Sequence, residues 1–251
     1  MTPWVLRLVV ATVAMFFITE PSPSLKFSLE FVPDLVLTRP WTLVTYMFLH
    51  GGMFHLFSNM LGLFIFGPPL EWRLGGTRFL GLYFVGGIAG ALASFATPGV
   101  GIIGASAGVF AISLGFARYW PNAIILIWGL IPVRAWFMVF GLAILEIYGA
   151  GGFGDQGVAH FAHLGGFLGG WIYLKLIEAK SGAAAFRAVA APTVNGVSDT
   201  DLARWRGVPL ESMHPINREE FVRVLTKIDT EGLGSLTGEE RAFLDRLARA
   251  T

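Results

Sequence analysis

The sequence predicts an all-α membrane protein, a bundle of six transmembrane helices followed by a small cytoplasmic helical hairpin. Three observations carry that expectation. Of 251 residues, 54% are hydrophobic and only 14% are charged, far from the balance of a soluble domain. Long apolar stretches recur up to residue 177, and beyond it polar and charged residues return with helical spacing. The net charge of +1 with no basic stripe excludes a nucleic-acid partner. The absence of cysteine excludes disulfides, thiol catalysis and thiolate metal sites.

The first apolar stretch, residues 4–18, carries one cation, Arg7. The following Thr19-Glu20-Pro21-Ser22-Pro23 lacks the small-x-small pattern of a cleaved leader, so the stretch is expected to stay as the first span. The other spans are expected at about 53–68, 79–96, 106–120, 134–147 and 158–177. Several are shorter than the roughly 20 residues a free-standing helix needs, which a bundle tolerates by thinning the bilayer. Between spans one and two, residues 20–49 are rich in Pro, Phe and Leu and are expected to sink partly into the outer leaflet, shielding a site from lipid. The apolar segment 122–133 is bracketed by Pro121 and Pro132 and is too short to cross. It is expected to lie along the membrane face, or else to extend span five with a proline break. Trp41, Trp72 and Trp171 are expected as interface anchors.

With the N-terminus in the cytoplasm, Arg7, Arg73, Arg78, Arg118, Arg134, Lys175, Lys180 and Arg187 fall on the cytoplasmic side and only Lys26 and Arg39 on the outer side. This is a positive-inside bias, and six spans return the C-terminus to the cytoplasm. Spans two, four and six then all descend from the outer face, which puts His55, Asn59, Ser106 and His163 in one layer just below that surface. Residues 1–178 are expected as the membrane domain, 179–214 as a cytoplasmic linker and 215–251 as the helical hairpin tail. Asn217-x-x-Glu220 and Thr237-x-x-Glu240 each read as a capping box. The apolar faces of the tail, Phe221, Val224, Leu225 and Ile228 against Phe243, Leu244 and Leu247, are too small to form a core alone. The hairpin is therefore expected to dock on the cytoplasmic loops or on a cytoplasmic partner, as a packing module without chemistry.

The candidate chemistry lies in two small-residue segments. Gly104-Ala105-Ser106-Ala107-Gly108-Val109-Phe110 starts one apolar span with a hydroxyl, and Ala159-His160-Phe161-Ala162-His163-Leu164-Gly165-Gly166 puts imidazoles inside another. Small residues near a serine are commonly only a close-packing device in membrane helices. Ionisable residues inside a span are rare and costly, which favours function for the second segment. A serine hydroxyl needs a base to take its proton, and imidazole is the usual one, so Ser106 and His163 are read as nucleophile and base. No carboxylate lies in the outer half of spans two, four or six; Glu146 ends span five and Asp155 follows it in a loop, so a dyad without a third member is expected.

His55 and Asn59, one helical turn apart, present one face and are placed to receive an oxyanion together with the backbone amide of Ser106. Phe110, one turn below Ser106, is placed to stack beneath the imidazole, and Gly166 and Gly170 continue the face that carries His163. His50, His55, His160 and His163 do not form the His-Glu-x-x-His pattern of a zinc protease, so no metal and no cofactor are expected. His160 is read as a hydrogen-bonded structural histidine facing away from His163, and Asn59 alternatively as interhelical glue.

These residues together resemble the rhomboid intramembrane serine proteases. The likeness rests on His50-x4-His55-x3-Asn59, Gly104-x-Ser106 and Ala162-His163-x-x-Gly166-x3-Gly170, each on its own span, with Trp41 in the outer loop and Glu71-x3-Gly75 after span two. It covers roughly residues 1–178. Two positions depart from the common pattern: Ala107 stands where many members have Gly, and Thr42 where some have Arg. The resemblance implies a rhomboid-like six-helix core in a bacterial plasma membrane. It also implies an endopeptidase with Ser106 as nucleophile, His163 as base, and His55, Asn59 and the Ser106 amide as oxyanion hole. Its implied partners are single-pass membrane proteins cut near their outer end, with span five and its loop as a gate. The alternative is a catalytically silent rhomboid-like protein that binds or escorts membrane clients; retention of both Ser106 and His163 separates the two. A transporter finds no support, since no inverted repeat is visible.

Overall fold

The computed structural model describes residues 1–127, 129–153, 159–190 and 198–250. Asp155 and residues 191–197 of the expected linker lie outside the described residues. Six principal helices occupy the six expected spans: α1 (Pro3–Thr19), α4 (Met53–Leu74), α5 (Gly76–Ala93), α6 (Ser106–Tyr119), α7 (Ala135–Tyr148) and α8 (His160–Ala190). Two short helices between α1 and α4 are α2 (Pro23–Leu29) and α3 (Thr42–Thr45), and the tail holds α9 (Asp199–Arg206), α10 (Pro215–Glu231) and α11 (Gly238–Ala250). Among the described residues, the helices Met53–Leu74, Gly76–Ala96 and Ala135–Phe153 are long and apolar enough to cross a bilayer, and Pro3–Thr19 is a shorter apolar helix. The protein is an all-α integral membrane bundle.

Its centre is α6, where Ala107, Gly108, Ala111, Ile112 and Gly115 are all buried. The small residues let α5 and α8 close on it. A methyl on Gly86 would sit 2.4 Å from Cβ of Ala111, and one on Gly170 would sit 2.8 Å from the same atom. Without a hydrophobic drive between helices in lipid, such backbone approach is what holds spans together. At the other extreme is α7, with 17% of its apolar window buried against 44% for α4 and α5. It leans on the bundle from outside.

Polar groups fix the periphery. Glu71, buried near the end of α4, accepts from the amides of Trp4 and Val5 at 3.1 and 3.0 Å, capping the start of α1 and meeting the positive end of its dipole. Gly75, at φ 81°, turns α4 into α5, a conformation a side chain would resist. In the loop between α1 and α4, Trp41 Nε1 donates to the Ser28 carbonyl at 3.0 Å and Thr45 donates to that of Leu29 at 2.8 Å. A bridge between Phe31 and Ile102, with Gly104 N–H on the Tyr46 carbonyl at 3.0 Å, ties this loop to the chain leading into Ser106.

Four expectations are corrected. The segment 122–133, expected along the membrane face or as a proline-broken extension of span five, does not extend span five as a helix. It forms an antiparallel hairpin of β1 (Ile124–Ile127) and β2 (Ile131–Arg134), with Leu126 opposite Pro132. Runs of β-branched residues favour strands, Gly129 at φ 72° supplies the turn, and a two-stranded ribbon tolerates Pro132 because both strands are edges. The stretch expected as a linker to residue 214 contains α9, and Trp205, Val208 and Met213 are buried in one apolar cluster with Phe221, Val224, Phe243 and Leu244. Trp72 is no interface anchor, since it packs against that cluster. Asn217 is not a cap, because α10 begins two residues earlier at Pro215, whose fixed φ suits the first helical position.

The second capping box does form, with Thr237 N–H on Glu240 at 2.9 Å and Glu240 N–H on the Thr237 hydroxyl at 3.1 Å. The tail docks on the end of α4. Arg73 pairs with Glu220 at 2.8 Å, and Arg246 donates to the Trp72 carbonyl at 3.3 Å and to that of Arg73.

Candidate active site

Three helices begin at the same level and aim their first turns at one another. Ser106 is the first residue of α6, His163 the fourth of α8, and His55 the third of α4. A helix leaves its first amides without intrahelical partners and carries partial positive charge there, so three such ends make a polar, donor-rich layer at the mouth of an apolar bundle. Between them lies a cavity of about 490 Å3 lined by His55, Asn59, Ser106, Val109, Phe110 and His163, among others.

Nε2 of His163 lies 2.7 Å from Oγ of Ser106. The imidazole rests flat on Phe110, with ring centroids 4.6 Å apart and planes 13° from parallel. Gly166, one turn along α8 from the ring, lets α8 descend onto α6: a methyl there would stand 2.3 Å from the Ala107 carbonyl oxygen. That approach is what lets a side chain as short as serine reach the ring.

His55 faces Ser106 from the opposite side of the cavity. Its Nδ1 accepts from Gly51 N–H at 3.4 Å, which leaves the ring proton on Nε2, the edge turned toward Gly104. Gly104 adopts φ 129°, and a methyl on it would lie 2.8 Å from Nε2 and Cε1 of His55. Glycine here both permits the turn into α6 and clears the path between His55 and the hydroxyl. The His50 ring packs edge-on against His55 at 4.8 Å. Asn59 lines the cavity, and its amide donates to the His55 carbonyl in its own helix at 2.9 Å. To serve an oxyanion, that amide must exchange this bond for one to substrate.

The expectation of a histidine–serine pair without a nearby carboxylate does not describe the site. Glu146, near the end of α7 and buried, lies between two imidazoles: Oε1 is 3.0 Å from Nδ1 of His163 and Oε2 is 2.6 Å from Nδ1 of His160. The contact with His163 is close, but it is off the line of a formed hydrogen bond. His160 therefore turns toward the same carboxylate as His163, not away from it. The signal was present in the sequence, since Glu146 is the sole acid in an otherwise apolar span. Among the described residues no group of metal-ligating side chains converges as a metal site.

A family model for the rhomboid domain matches residues 37–179, more than half of the chain and all of the site. The chain belongs to the rhomboid family. Similar rhomboid proteins include the rhomboid-like protease 5 of Toxoplasma gondii, 30% identical over 81% of this chain and 24% of its own length. The putative rhomboid protease YdcA of Bacillus subtilis is 32% identical over 53% of this chain and 64% of its own. The RHOMBOID-like protein 5 of Arabidopsis thaliana is 31% identical over 52% and 42% respectively. The chain thus spans less than two thirds of each of these rhomboid relatives. Helix α1 and the tail, which embrace the rhomboid domain at the end of α4, lie outside the matched residues.

Proposed function

We propose that the protein is an intramembrane serine endopeptidase that cuts transmembrane proteins near the outer end of their spans. Ser106 is its nucleophile and His163 its base. The observation that carries this reading is the 2.7 Å contact between Ser106 Oγ and His163 Nε2 inside a polar cavity at the mouth of an apolar bundle. A hydroxyl held on an imidazole, at the start of a helix whose first amides lack intrahelical partners, suits acyl transfer.

In the reaction, His163 Nε2 takes the Ser106 proton as Oγ bonds to the scissile carbonyl carbon. The carbonyl oxygen becomes an oxyanion facing the amide of Ser106, Nε2–H of His55 and the released amide of Asn59. Nε2–H then protonates the leaving amine as the C–N bond breaks. Water repeats the sequence on the acyl-enzyme and frees Ser106.

The cation distribution supports cytoplasmic termini, and the Bacillus relative supports a bacterial plasma membrane. The decisive test is the purified protein in lipid vesicles with a panel of single-span substrates and a fluorophosphonate label. Cleavage and labelling are expected for the unaltered protein and neither for Ser106→Ala or His163→Ala. Undiminished cleavage by Ser106→Ala would refute the mechanism, and an unaltered protein that binds clients without cutting or labelling would mark a silent family member.

A further inference from the structure

Nothing in the reaction above uses Glu146, yet the placement of that residue is expensive. It stands on an apolar helix of mean hydropathy 1.5, buried, in a bundle otherwise sparing with acids. Carboxylates in such a setting are paired or functional. Its two oxygens are divided between two rings on α8, one of which is the base.

We infer that Glu146 is a positioning residue for the reaction: from α7 it holds the Nδ1 edge of His163, completing a Ser106–His163–Glu146 relay. The inference rests on the reading of Ser106 and His163 as nucleophile and base. Nε2 can accept the serine proton only if the neutral ring carries its own proton on Nδ1. A carboxylate at Nδ1 favours that tautomer and stabilises the imidazolium formed when Nε2 is protonated. No proton passes to Glu146; Nδ1–H stays on the ring throughout.

Phe110 and Glu146 divide the work. The stack fixes the plane of the ring, and the carboxylate fixes its rotation within that plane. The 3.0 Å separation without alignment fits the resting enzyme, because catalytic hydrogen bonds often straighten only when substrate is bound. His160, on the far oxygen, keeps the carboxylate from swinging away. Gly149 allows this, since a methyl there would lie 2.3 Å from Cε1 of His160. The anchor sits on the least enclosed helix of the bundle, so displacement of α7 removes the carboxylate from the base.

The simpler alternative is a clamp between α7 and α8, with His160 as the true partner and His163 a bystander. Kinetics of the full chain in vesicles separate the two. Glutamine accepts from one ring only and offers an N–H to the other, so Glu146→Gln is expected to lower kcat on the order of 10²-fold, with KM within about twofold and fluorophosphonate labelling slowed in parallel. Glu146→Asp is expected to recover most of that loss. His160→Gln, which leaves the carboxylate beside His163, is expected to cost less than about tenfold.

Wild-type kcat in Glu146→Gln would overturn the inference, as would a His160→Gln loss equal to that of Glu146→Gln without rescue by Asp. If Glu146→Gln fails to fold, the unaltered protein decides. A low-field Nδ1 proton of His163 in proton NMR with an active-site phosphonate bound supports the relay, and its absence removes it. Activity persisting in Ser106→Ala would instead refute the parent reading, and the role of Glu146 would fall with it.

Discussion

The ring of His163 lies nearly parallel to that of Phe110, 4.6 Å between centroids, and Phe167 meets Phe110 edge-on at 4.8 Å. The His163 ring is thus seated on a braced aromatic shelf one helical turn below Ser106. Offset aromatic contact of this kind contributes about 0.5–1.5 kcal/mol beyond burial, and it also removes alternative ring orientations.

Replacing the shelf tests its role. Phe110→Leu keeps an apolar side chain of similar reach but no flat face, so the helix bundle is expected to persist. Turnover is expected to fall about tenfold, since small misplacement of a catalytic group has large kinetic effects. Comparing kcat with the thermal midpoint in the same detergent checks it: a matched loss of stability would mean that Phe110 is core filling only.

Gly166 should be intolerant for a different reason. The methyl of Gly166→Ala would stand 2.3 Å from a backbone oxygen of Ala107, which cannot swing aside like a side chain. The helices must part by a fraction of an ångström to relieve it, at a cost of about 1–3 kcal/mol by analogy with overpacked cores. The Ser106–His163 contact lengthens with them. The expectation is folded protein with at least about 10²-fold slower fluorophosphonate labelling, and normal labelling would show that the two helices do not set the reacting distance.

Much of this was legible in the sequence because the membrane leaves few choices. Six apolar stretches had to be helices, and the depth of Ser106, His163, His55 and Asn59 followed from chain direction alone. The small residues on α6 and α8 announced which helices would touch. What could not be read was lateral placement. Glu146 was expected at the same end of the bundle as His163, but nothing in the one-dimensional pattern said that span five stands beside the start of span six. The hairpin at 124–134 was missed because its short apolar run fits a strand or a helix equally well. The tail was misjudged at its start, where Trp205 is buried in a core assembled from residues up to 42 positions away, such as Leu247.

The two side chains proposed as oxyanion donors, His55 and Asn59, are expected to differ in their effects. His55 has its proton directed at the cavity by the Gly51 contact, whereas Asn59 must first give up its bond to the His55 carbonyl. His55→Ala is therefore expected to lower kcat about 10²–10³-fold, the usual loss for one such donor, and Asn59→Ala by less. Both variants should still label, because the nucleophile and base are intact. Steady-state kinetics on one transmembrane substrate measures the pair, and a larger loss for Asn59→Ala would reverse the assignment of the main donor.

The tail should come apart in acid while the membrane bundle stays intact. Burial pushes the carboxyl of Glu240 upward, but the Thr237 amide, Lys227 and Arg223 outweigh it and hold the group down to about 2 against an ordinary 4.5. Lys227 and Arg223 reach it from α10 at 2.9 and 3.1 Å, so the charge on Glu240 bonds α10 to α11. A group depressed in the folded state contributes stability that is complete above its unfolded value and lost as pH falls toward the folded one. Glu220, held low by Arg223 and, against a smaller push from burial, by Arg73, adds the docking contact to α4 in the same direction. Amide protection in residues 215–249, corrected for intrinsic exchange, is accordingly expected to be constant from pH 7 to about 5 and to fall between about 4.5 and 2. Glu240→Gln should lower protection at neutral pH and flatten that dependence. If the variant kept the full acid transition, these ion pairs would not be what joins the two helices.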